Sequence, residues 1–340
     1  MQTMVDLRSD TTTRPCEGMR DAMRNAEVGD AVYKEDPTIN RLEQRAAKLL
    51  GKEAALYVTS GTMANTLAIR LCSEPGDELI CESNCHPVFY EAGGSGAFSG
   101  VLFKTVTGDR GIMNPADVEA VLYDPIYYRP NQRAILVENT HNRGGGAVYP
   151  METLGQLVEL ARSRGLRLHM DGARLWNASV ASGIPMHTMA EGFDTVSVCF
   201  SKGLGAPVGS ILAGSQEDID RAWHYRHMLG GSWRQAGILA AAALYALDHN
   251  LEGLANDHLN AQRLTQGLSD CGLEIVNRVE TNMVYFSHDS ATKLLEKLEN
   301  RNVRMAQIRP GVVRCVTHRD VDSDGIDWAV DCVSDIVGSF

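Results

Sequence analysis

The sequence of 340 residues contains no apolar run that approaches the roughly 20 residues of a membrane-spanning helix. Its first residues, MQTMVDLRSD, lack the apolar segment of a secretory signal peptide, so we expect a cytoplasmic protein. Positive charge is also scarce: 32 Lys and Arg residues stand against 43 Asp and Glu residues, for a net charge of −11. Nucleic acids and anionic membrane surfaces attract basic proteins, so neither is an expected partner.

Signatures of metal and nucleotide binding are missing as well. The eight cysteines stand singly in apolar contexts, as reduced core residues do. Cys81 and Cys85 lie next to His86, but no second pair of ligands follows, so no metal site is predicted. The sequence has no Walker loop, and the glycines of 203–209 lack the spacing of a dinucleotide-binding motif.

What is present is a regular alternation of short apolar runs and amphipathic stretches between about residues 54 and 214. In 151–164 the apolar residues recur at positions i, i+3, i+4 and i+7, which is one face of a helix. Strands that alternate with helices predict an α/β fold with a mainly parallel sheet and helices on both faces. The predicted strands are AALYV, ELIC, GVLFKTV, AILVEN, LRLHM, TVSVCF and VGSILAG.

The pattern changes after residue 215. Three long helical stretches extend to about residue 270, and two strand-like segments, ETNMVYF and VVRCVTH, precede a final helix. The length also exceeds that of one typical core. We therefore predict a large domain, 31–248, and a smaller α+β domain, 249–340, on which an N-terminal segment, 1–30, packs.

Polar side chains follow three of the predicted strands, where ligands of open α/β sheets bind. In TSGTMAN, Ser60, Gly61 and Thr62 open a helix whose free N–H groups suit a phosphate, although the segment is also an ordinary helix N-cap. In HMDGAR, Asp171 either reaches a ligand or caps the next helix. In SVCFSKGLG, Lys202 is either a loop lysine at the surface or an amine that a ligand uses.

The three segments together favour one cofactor, pyridoxal 5′-phosphate. This cofactor requires an amine for a Schiff base, a cradle for its phosphate, and a carboxylate that keeps its pyridine nitrogen protonated. Lys202, the 60–62 segment and Asp171 supply these groups on successive strand ends. The sequence therefore predicts an enzyme that binds pyridoxal phosphate.

Longer motifs extend over nearly the whole chain: VDLRSDTTTRP, VGDAVYKEDPTINRLE, YVTSGTMAN, HPVFYEAGG, VENTHN, LHMDGARLWNA, CFSKGLGAPVGS, WRQAGILAAA and VRCVTH. With them the sequence closely resembles the low-specificity L-threonine aldolases, of the β-eliminating lyase group within the fold-type I pyridoxal-phosphate enzymes. The resemblance implies retro-aldol cleavage of L-threonine, L-allo-threonine and related β-hydroxy-α-amino acids to glycine and an aldehyde. It also implies a homotetramer, a dimer of dimers in which subunits share active sites.

The same resemblance implies a role for each matching residue. The cofactor-binding residues are Lys202 at the Schiff base, Asp171 at the pyridine nitrogen, Arg174 near O3′, His86 on the ring face, Ser60, Gly61 and Thr62 at the phosphate, and Arg234 from a neighbouring subunit. The substrate-binding residues are Ser9 and Arg314 at the carboxylate, Arg174, and Tyr33 in a loop contributed across the dimer. A second active-site histidine is His141.

Several alternatives stay open at this point. The base that takes the hydroxyl proton is His86, His141 or neither, because a lone histidine is more often structural. Glu91 is expected to be a helix-start carboxylate or a dimer contact, and Asp10 is expected to be a structural neighbour of Ser9. Lys34 stands where the family has a glycine, which leaves the side-chain preference undefined. The alternatives are a phenylserine-type aldolase, a β-eliminating lyase or a racemase on the same scaffold, or an inactive binding protein.

Overall fold

The structure, a computed structural model, describes residues 4–338. The strands are β1 (Val5–Asp6), β2 (Ala54–Val58), β3 (Glu78–Glu82), β4 (Leu102–Val106), β5 (Gln132–Glu138), β6 (Arg167–Gly172), β7 (Thr195–Cys199), β8 (Ser210–Gly214), β9 (Glu274–Ile275), β10 (Met283–Ser287), β11 (Val303–Arg304), β12 (Ala306–Arg309) and β13 (Val312–Val316). The helices are α1 (Glu17–Arg24), α2 (Pro37–Leu50), α3 (Gly61–Cys72), α4 (His86–Phe89), α5 (Pro115–Val121), α6 (Met151–Ser163), α7 (Leu175–Ser182), α8 (Met186–Met189), α9 (Gln216–Met228), α10 (Gly237–His249), α11 (Leu254–Asp270), α12 (Ala291–Glu299) and α13 (Ser323–Val337). Short 3₁₀ turns span Asp10–Thr12 and Ala31–Tyr33, and a π-helical turn spans Ser95–Ser99.

The main sheet has seven strands in the order β2-β8-β7-β6-β5-β3-β4. The strands from β7 to β4 pair in parallel, whereas β8 runs antiparallel to both of its neighbours. The connection 200–209 between β7 and β8 is shorter than the crossover of about a dozen residues that a parallel pair needs. The structure therefore confirms the predicted mainly parallel sheet, with one antiparallel strand.

Helices cover both faces of this sheet because alternate residues of each strand point to opposite sides. In β2, Ala55 and Tyr57 belong to one core together with side chains of α2. Leu56 and Val58 belong to a second core together with side chains of α3 and α9. Both predicted layers are present.

A smaller antiparallel sheet has the order β12-β13-β10-β9. It packs with α11, α12 and α13 around a separate core. The last three helical stretches before residue 270 and the final helix lie where the sequence predicts them. This part of the chain supplies β13, which carries Arg314.

The first described residues form an N-terminal strap, residues 5–14, between these two parts of the molecule. Its strand β1 pairs in parallel with β11, with Val5 opposite Val303. Thr13 Oγ1 donates to the carbonyl of Lys202, in the connection that follows β7 of the large sheet, at 2.8 Å. The following helix α1 packs on α10, so Met19 lies in the first core. The segment 1–30, which we predicted to pack on the small domain, is thus divided between two cores as far as it is described.

Candidate active site

The polar segments singled out in the sequence meet at one edge of the main sheet. Strands β2 and β7 both run antiparallel to β8, which lies between them, so β2 and β7 point in the same direction. The carboxyl ends of β2, β7, β6 and β5 therefore lie at the same edge of the sheet. Thr62, Asp171, Lys202 and His141 all follow these ends or lie on them.

A cleft of about 470 Å³ opens at this edge. Five of the predicted site residues line it: Ser9, His86, Arg174, Lys202 and Arg314. Its walls thus come from the strap, from the main sheet and from β13 of the small sheet. Neither half of the molecule encloses the cleft alone.

The start of α3 has the geometry of an anion cradle. Ser60 Oγ accepts a hydrogen bond from Met63 N at 3.1 Å, so the N-cap interpretation of this segment is correct. The first N–H groups of a helix have no partner within it, and the positive end of the helix dipole adds to their pull on an anion. A Cβ at Gly61 would lie 2.8 Å from Cys199 Sγ. Only glycine at this position therefore allows the start of α3 to pack this closely against the end of β7. Capping and anion binding are compatible at this helix.

Asp171 is a buried carboxylate near the end of β6. Its Oδ2 accepts from Asn65 Nδ2 at 2.7 Å and its Oδ1 accepts from Ala173 N at 3.0 Å. Burial raises the pKa of Asp171, but the charges of His86 and Lys202 and the Asn65 bond outweigh burial and leave the pKa below its usual value. The N-cap residue of the next helix is Arg174, so Asp171 does not cap it.

Asn65 connects the polar groups beneath the cleft. Its Nδ2 donates to Asp171 Oδ2 at 2.7 Å and to Glu91 Oε1 at 2.8 Å. Its Oδ1 lies 3.2 Å from Ser197 Oγ and 3.1 Å from His169 Nε2. All hydrogen-bonding positions of this buried amide are used, so it holds four side chains: two of β6, one of β7 and that of Glu91 after α4.

His86 lies at the start of α4 with its backbone and ring both held by carboxylates. Its N–H donates to Glu138 Oε2 at 2.7 Å, and its Nδ1 lies 2.8 Å from Glu91 Oε1. Burial lowers the pKa of His86, while the Glu91 bond and the Asp171 charge raise it, and the net shift is upward. Burial raises the pKa of Glu91, the hydrogen bonds from His86 and Asn65 lower it, and the net shift is upward.

Ligand atoms of His86, Glu91 and Asp171 lie within 4.8 Å of one another, a spacing that would suit a metal ion. The amide of Asn65 bridges the two carboxylates of this group.

His141 is more deeply buried, with 1% of its surface exposed, and it is absent from the residues that line the cleft. Its Nδ1 accepts from Gly144 N at 3.0 Å. Its Nε2 lies 3.1 Å from Glu82 Oε2, without the alignment of a hydrogen bond, and 3.9 Å from Glu138 Oε2. Burial lowers the pKa of His141, but Glu138 and Glu82 raise it by more.

Arg174 forms a bidentate ion pair with Asp10 of the strap. The bonds from Nε and Nη2 measure 2.7 and 2.6 Å, and both side chains are buried. Burial raises the pKa of Asp10, but Arg174 outweighs it and holds this pKa far below its usual range. Next to this pair, Ser9 Oγ accepts from Thr11 N at 3.2 Å and caps the 3₁₀ turn. The structural role expected for Asp10 is the anchoring of Arg174.

Arg314 crosses from the small sheet to the cleft. Its Nη1 donates to Asn142 Oδ1 at 3.2 Å, and its Nη2 donates to the Arg8 carbonyl at 3.1 Å. Its Nε is buried without a hydrogen-bond partner, and no Asp or Glu of residues 4–338 forms an ion pair with it. The guanidinium therefore keeps donor capacity for an anionic ligand.

Tyr33 and Arg234 lie outside the cleft of their own chain. Tyr33 is 73% exposed. Arg234 forms an ion pair with Asp30 at 3.6 Å, and its carbonyl accepts from Ala31 N at 3.0 Å. These contacts put both predicted residues on one outer surface of the monomer.

Comparisons with known proteins show the family of this chain. The family model described as Beta-eliminating lyase matches residues 6–291. The chain is 43% identical over 339 residues to low-specificity L-threonine aldolase 1 of Arabidopsis thaliana, which covers 96% of this chain and 95% of that protein. It is 41% identical over 325 residues to the low specificity L-threonine aldolase of Escherichia coli strain K12, at 94% and 96% coverage.

Solved structures confirm the predicted fold. A threonine aldolase from Leishmania major superposes with a TM-score of 0.87 at 20% identity, covering 98% of this chain and 99% of that one. A structure of SPT with PLP superposes with a TM-score of 0.76 at 16% identity, covering 99% and 89%. The family model spans most of the sequence, and the sequence relatives match over nearly their full lengths. The chain therefore belongs to the beta-eliminating lyase family.

Proposed function

We propose that this chain cleaves L-threonine, L-allo-threonine and related β-hydroxy-α-amino acids to glycine and an aldehyde, with pyridoxal 5′-phosphate as cofactor. The observation that carries the proposal is the buried carboxylate of Asp171 beside Lys202, at the same sheet edge as the anion cradle. The sequence relatives named threonine aldolases support the choice of reaction.

The residues present fit this cofactor. Lys202 supplies the amine for the covalent link, and the start of α3 supplies N–H and hydroxyl groups for the phosphate. Asp171, whose pKa lies below its usual value, would hold a proton on the pyridine nitrogen. When bound, the cofactor supplies a ring that accepts the electrons released at the substrate Cα. As the resemblance implies, Arg174 would lie near the cofactor's O3′, and His86 would lie on its ring face.

The substrate carboxylate binds Arg314 and Ser9 in this proposal. A guanidinium offers two parallel N–H groups to a carboxylate, and Arg314 has no acidic partner within residues 4–338 that would compete. The strap brings Ser9 to the same cleft. Together they orient the Cα–Cβ bond for cleavage.

His86 is the base that we propose for the β-hydroxyl proton. An ionised Glu91 only accepts hydrogen bonds, so Nδ1 of His86 carries its proton and Nε2 is left to accept one. His141 is buried and does not line the cleft, and Glu138 Oε2 accepts from the backbone N–H of His86 while it lies 3.9 Å from His141 Nε2. We therefore propose that His141 positions Glu138 and the 142–144 backbone and does not touch the substrate.

The proposal extends to assembly and compartment. Tyr33 and Arg234 lie together on an outer surface, which supports a homotetramer, a dimer of dimers in which they complete a neighbour's site. The eight cysteines form no disulfide, which supports a cytoplasmic location. No helix within residues 4–338 is long and apolar enough to cross a membrane.

A product assay tests the reaction. Incubation with L-threonine or L-allo-threonine should release glycine and acetaldehyde in equal amounts. A 2-oxo acid together with ammonia would instead indicate β-elimination. Formation of the opposite enantiomer of the substrate would indicate a racemase. No product and no absorbance of bound cofactor would indicate an inactive binding protein.

Borohydride reduction followed by peptide mapping tests the site. The pyridoxyl label should appear on Lys202, and Lys202→Ala should lose it. Lys104→Ala changes an exposed lysine of β4 and should label like the unaltered chain. A label on another lysine would contradict the site assignment.

A further inference from the structure

The cleft carries more positive charge than the proposed reaction uses. Its lining includes Arg143, Arg174, Lys202 and Arg314 but no Asp or Glu, although the chain has a net charge of −11. Arg174 is paired with Asp10, while Lys202 and Arg314 have roles toward cofactor and substrate carboxylate. Arg143 is the cation in this lining that has no such role.

The side chain of Arg143 is held at the cleft wall by two aromatic residues. Its guanidinium carbon lies 3.9 Å from the centroid of the Phe89 ring, and Nη1 donates to Tyr90 Oη at 3.2 Å. A stacked guanidinium still presents N–H groups at its edge, and only one of its five is used here. No carboxylate within residues 4–338 forms an ion pair with Arg143.

The backbone next to Arg143 is fixed to the site. Asn142 N donates to Glu138 Oε1 at 2.8 Å, and the Asn142 carbonyl accepts from Tyr285 Oη at 2.6 Å. Its side chain accepts from Arg314 Nη1 at 3.2 Å. Arg143 therefore follows directly a residue that touches the proposed carboxylate anchor, and a rigid backbone lowers the entropic cost of binding a further group.

We propose that Arg143, on the platform of Phe89 and Tyr90, binds an anionic group at the far end of the substrate side chain. The preferred substrates would then include β-hydroxy-α-amino acids with a distal carboxylate. The inference rests on the proposed aldol function and adds its side-chain specificity. A guanidinium suits this group because its planar fork matches a carboxylate.

The reaction on such a substrate balances without a further reactant. The β-hydroxyl gives its proton to the base, the Cα–Cβ bond breaks, and Cβ with its oxygen leaves as an aldehyde. Cα takes a proton and leaves as glycine. The aldehyde keeps the distal carboxylate, so β-hydroxyglutamate would yield glycine and the three-carbon semialdehyde acid.

The test compares two nearly isosteric substrates, β-hydroxyglutamate and β-hydroxyglutamine, by the ratio of their kcat/KM values. The ratio should favour the carboxylate in the unaltered enzyme, and Arg143→Gln should lower it by about tenfold to a hundredfold, the range for a hydrogen bond to a charged group. Arg143→Lys should restore part of the ratio, since a point charge replaces the fork. Added salt should also lower the ratio of the unaltered enzyme.

Arg24→Gln, an exposed arginine of α1, is the matched control and should leave the ratio unchanged. An unchanged ratio in Arg143→Gln, or an equal fall for both substrates, would overturn the inference. Threonine cleavage separates the two hypotheses. If the enzyme cleaves L-threonine but Arg143→Gln keeps the ratio, only the subsite is wrong, whereas failure to cleave any of these substrates contradicts the proposed function itself.

Discussion

The floor and the mouth of the cleft differ in how their polar groups are satisfied. In the floor, one amide, Asn65, fills its hydrogen-bonding positions with neighbouring side chains, among them Asp171 and Glu91. At the mouth, Arg314 has a buried Nε without a partner and Arg143 uses one donor of five. The floor is arranged before any ligand binds, whereas the mouth keeps donors for a ligand. Changes in the floor should therefore affect stability and proton positions, and changes at the mouth should affect substrate binding.

The largest expected effect lies where the two regions meet, at the Asp10–Arg174 pair. Asp10→Asn leaves a buried guanidinium without its counter-charge, which typically costs about 3–5 kcal/mol of unfolding free energy. Denaturant unfolding measures this loss. Asp21→Asn breaks an exposed pair with Arg24 and should cost no more than about 1 kcal/mol. If Asp10→Asn and Asp21→Asn lowered the free energy of unfolding equally, the Asp10–Arg174 pair would not be what holds the floor and the mouth of the cleft together.

Arg314→Ala tests the mouth. Loss of one partner of a charge-assisted pair should raise KM by about two to three orders of magnitude, in line with about 2–5 kcal/mol. The free energy of unfolding should change little by comparison, because no acidic partner within residues 4–338 is stranded. Arg314→Lys should recover part of the loss. If Arg314→Ala binds glycine as tightly as the unaltered enzyme, Arg174 is the carboxylate anchor.

Asn65→Leu tests the floor. It removes partners from two carboxylates, and each buried group left unsatisfied costs about 1–3 kcal/mol. Asn40→Leu is the control, since its amide makes one bond, to the Lys34 carbonyl, nearer the surface. The floor interpretation also requires a changed pKa of the His86 imidazole in Asn65→Leu, measured by NMR. A purely local loss of packing would leave that pKa unchanged.

Glu91→Gln should have the smallest effect of these variants, which is a change in the proton affinity of the His86 imidazole. Burial lowers the pKa of His86, and the Glu91 bond raises it, so removal of the charge should lower this pKa. In the unaltered chain the raised pKa means that protonated His86 stabilises the fold below about pH 6.5, and this stabilisation is lost as pH rises through the native pKa. In Glu91→Gln, the fall in unfolding free energy as pH rises through this range should be smaller. His258, whose pKa burial lowers to about 4, is the internal NMR control and should not change.

The sequence predicts the strand ends well because short apolar runs bounded by polar residues mark them. The contacts in the floor could not be predicted in the same way. Asn65 lies within a recognisable motif, but its partners Glu91 and Asp171 follow it by 26 and 106 residues. No local pattern signals such a pairing. Helix α2 did carry signals, since Asp36 caps it, Pro37 opens it and Gly51 ends it with a positive φ. Arg143 has no signal of its own, because only the fold brings Phe89 beneath it.

Lys34 shows how the structure explains a departure from the family pattern. Its φ is 60°, in the left-handed region that a glycine adopts without strain. A lysine here carries a backbone cost of about 1–2 kcal/mol. Its Nζ lies 5.1 Å from the centroid of the Trp223 ring, and this cation–π contact offsets part of the cost. The glycine expected from the resemblance is therefore the residue that the backbone favours.

The N-terminal strap has a consequence for the order in which the chain is made. Val5 pairs with Val303, and Arg14 N donates to Asp320, partners that are about 300 positions apart. During synthesis the strap therefore emerges long before its partners, which follow about 300 residues later. The main sheet, whose last strand ends at Gly214, can form well before then. Ser9 and Asp10 thus reach their places late, so a nascent chain acquires the anion cradle long before it acquires a closed substrate site.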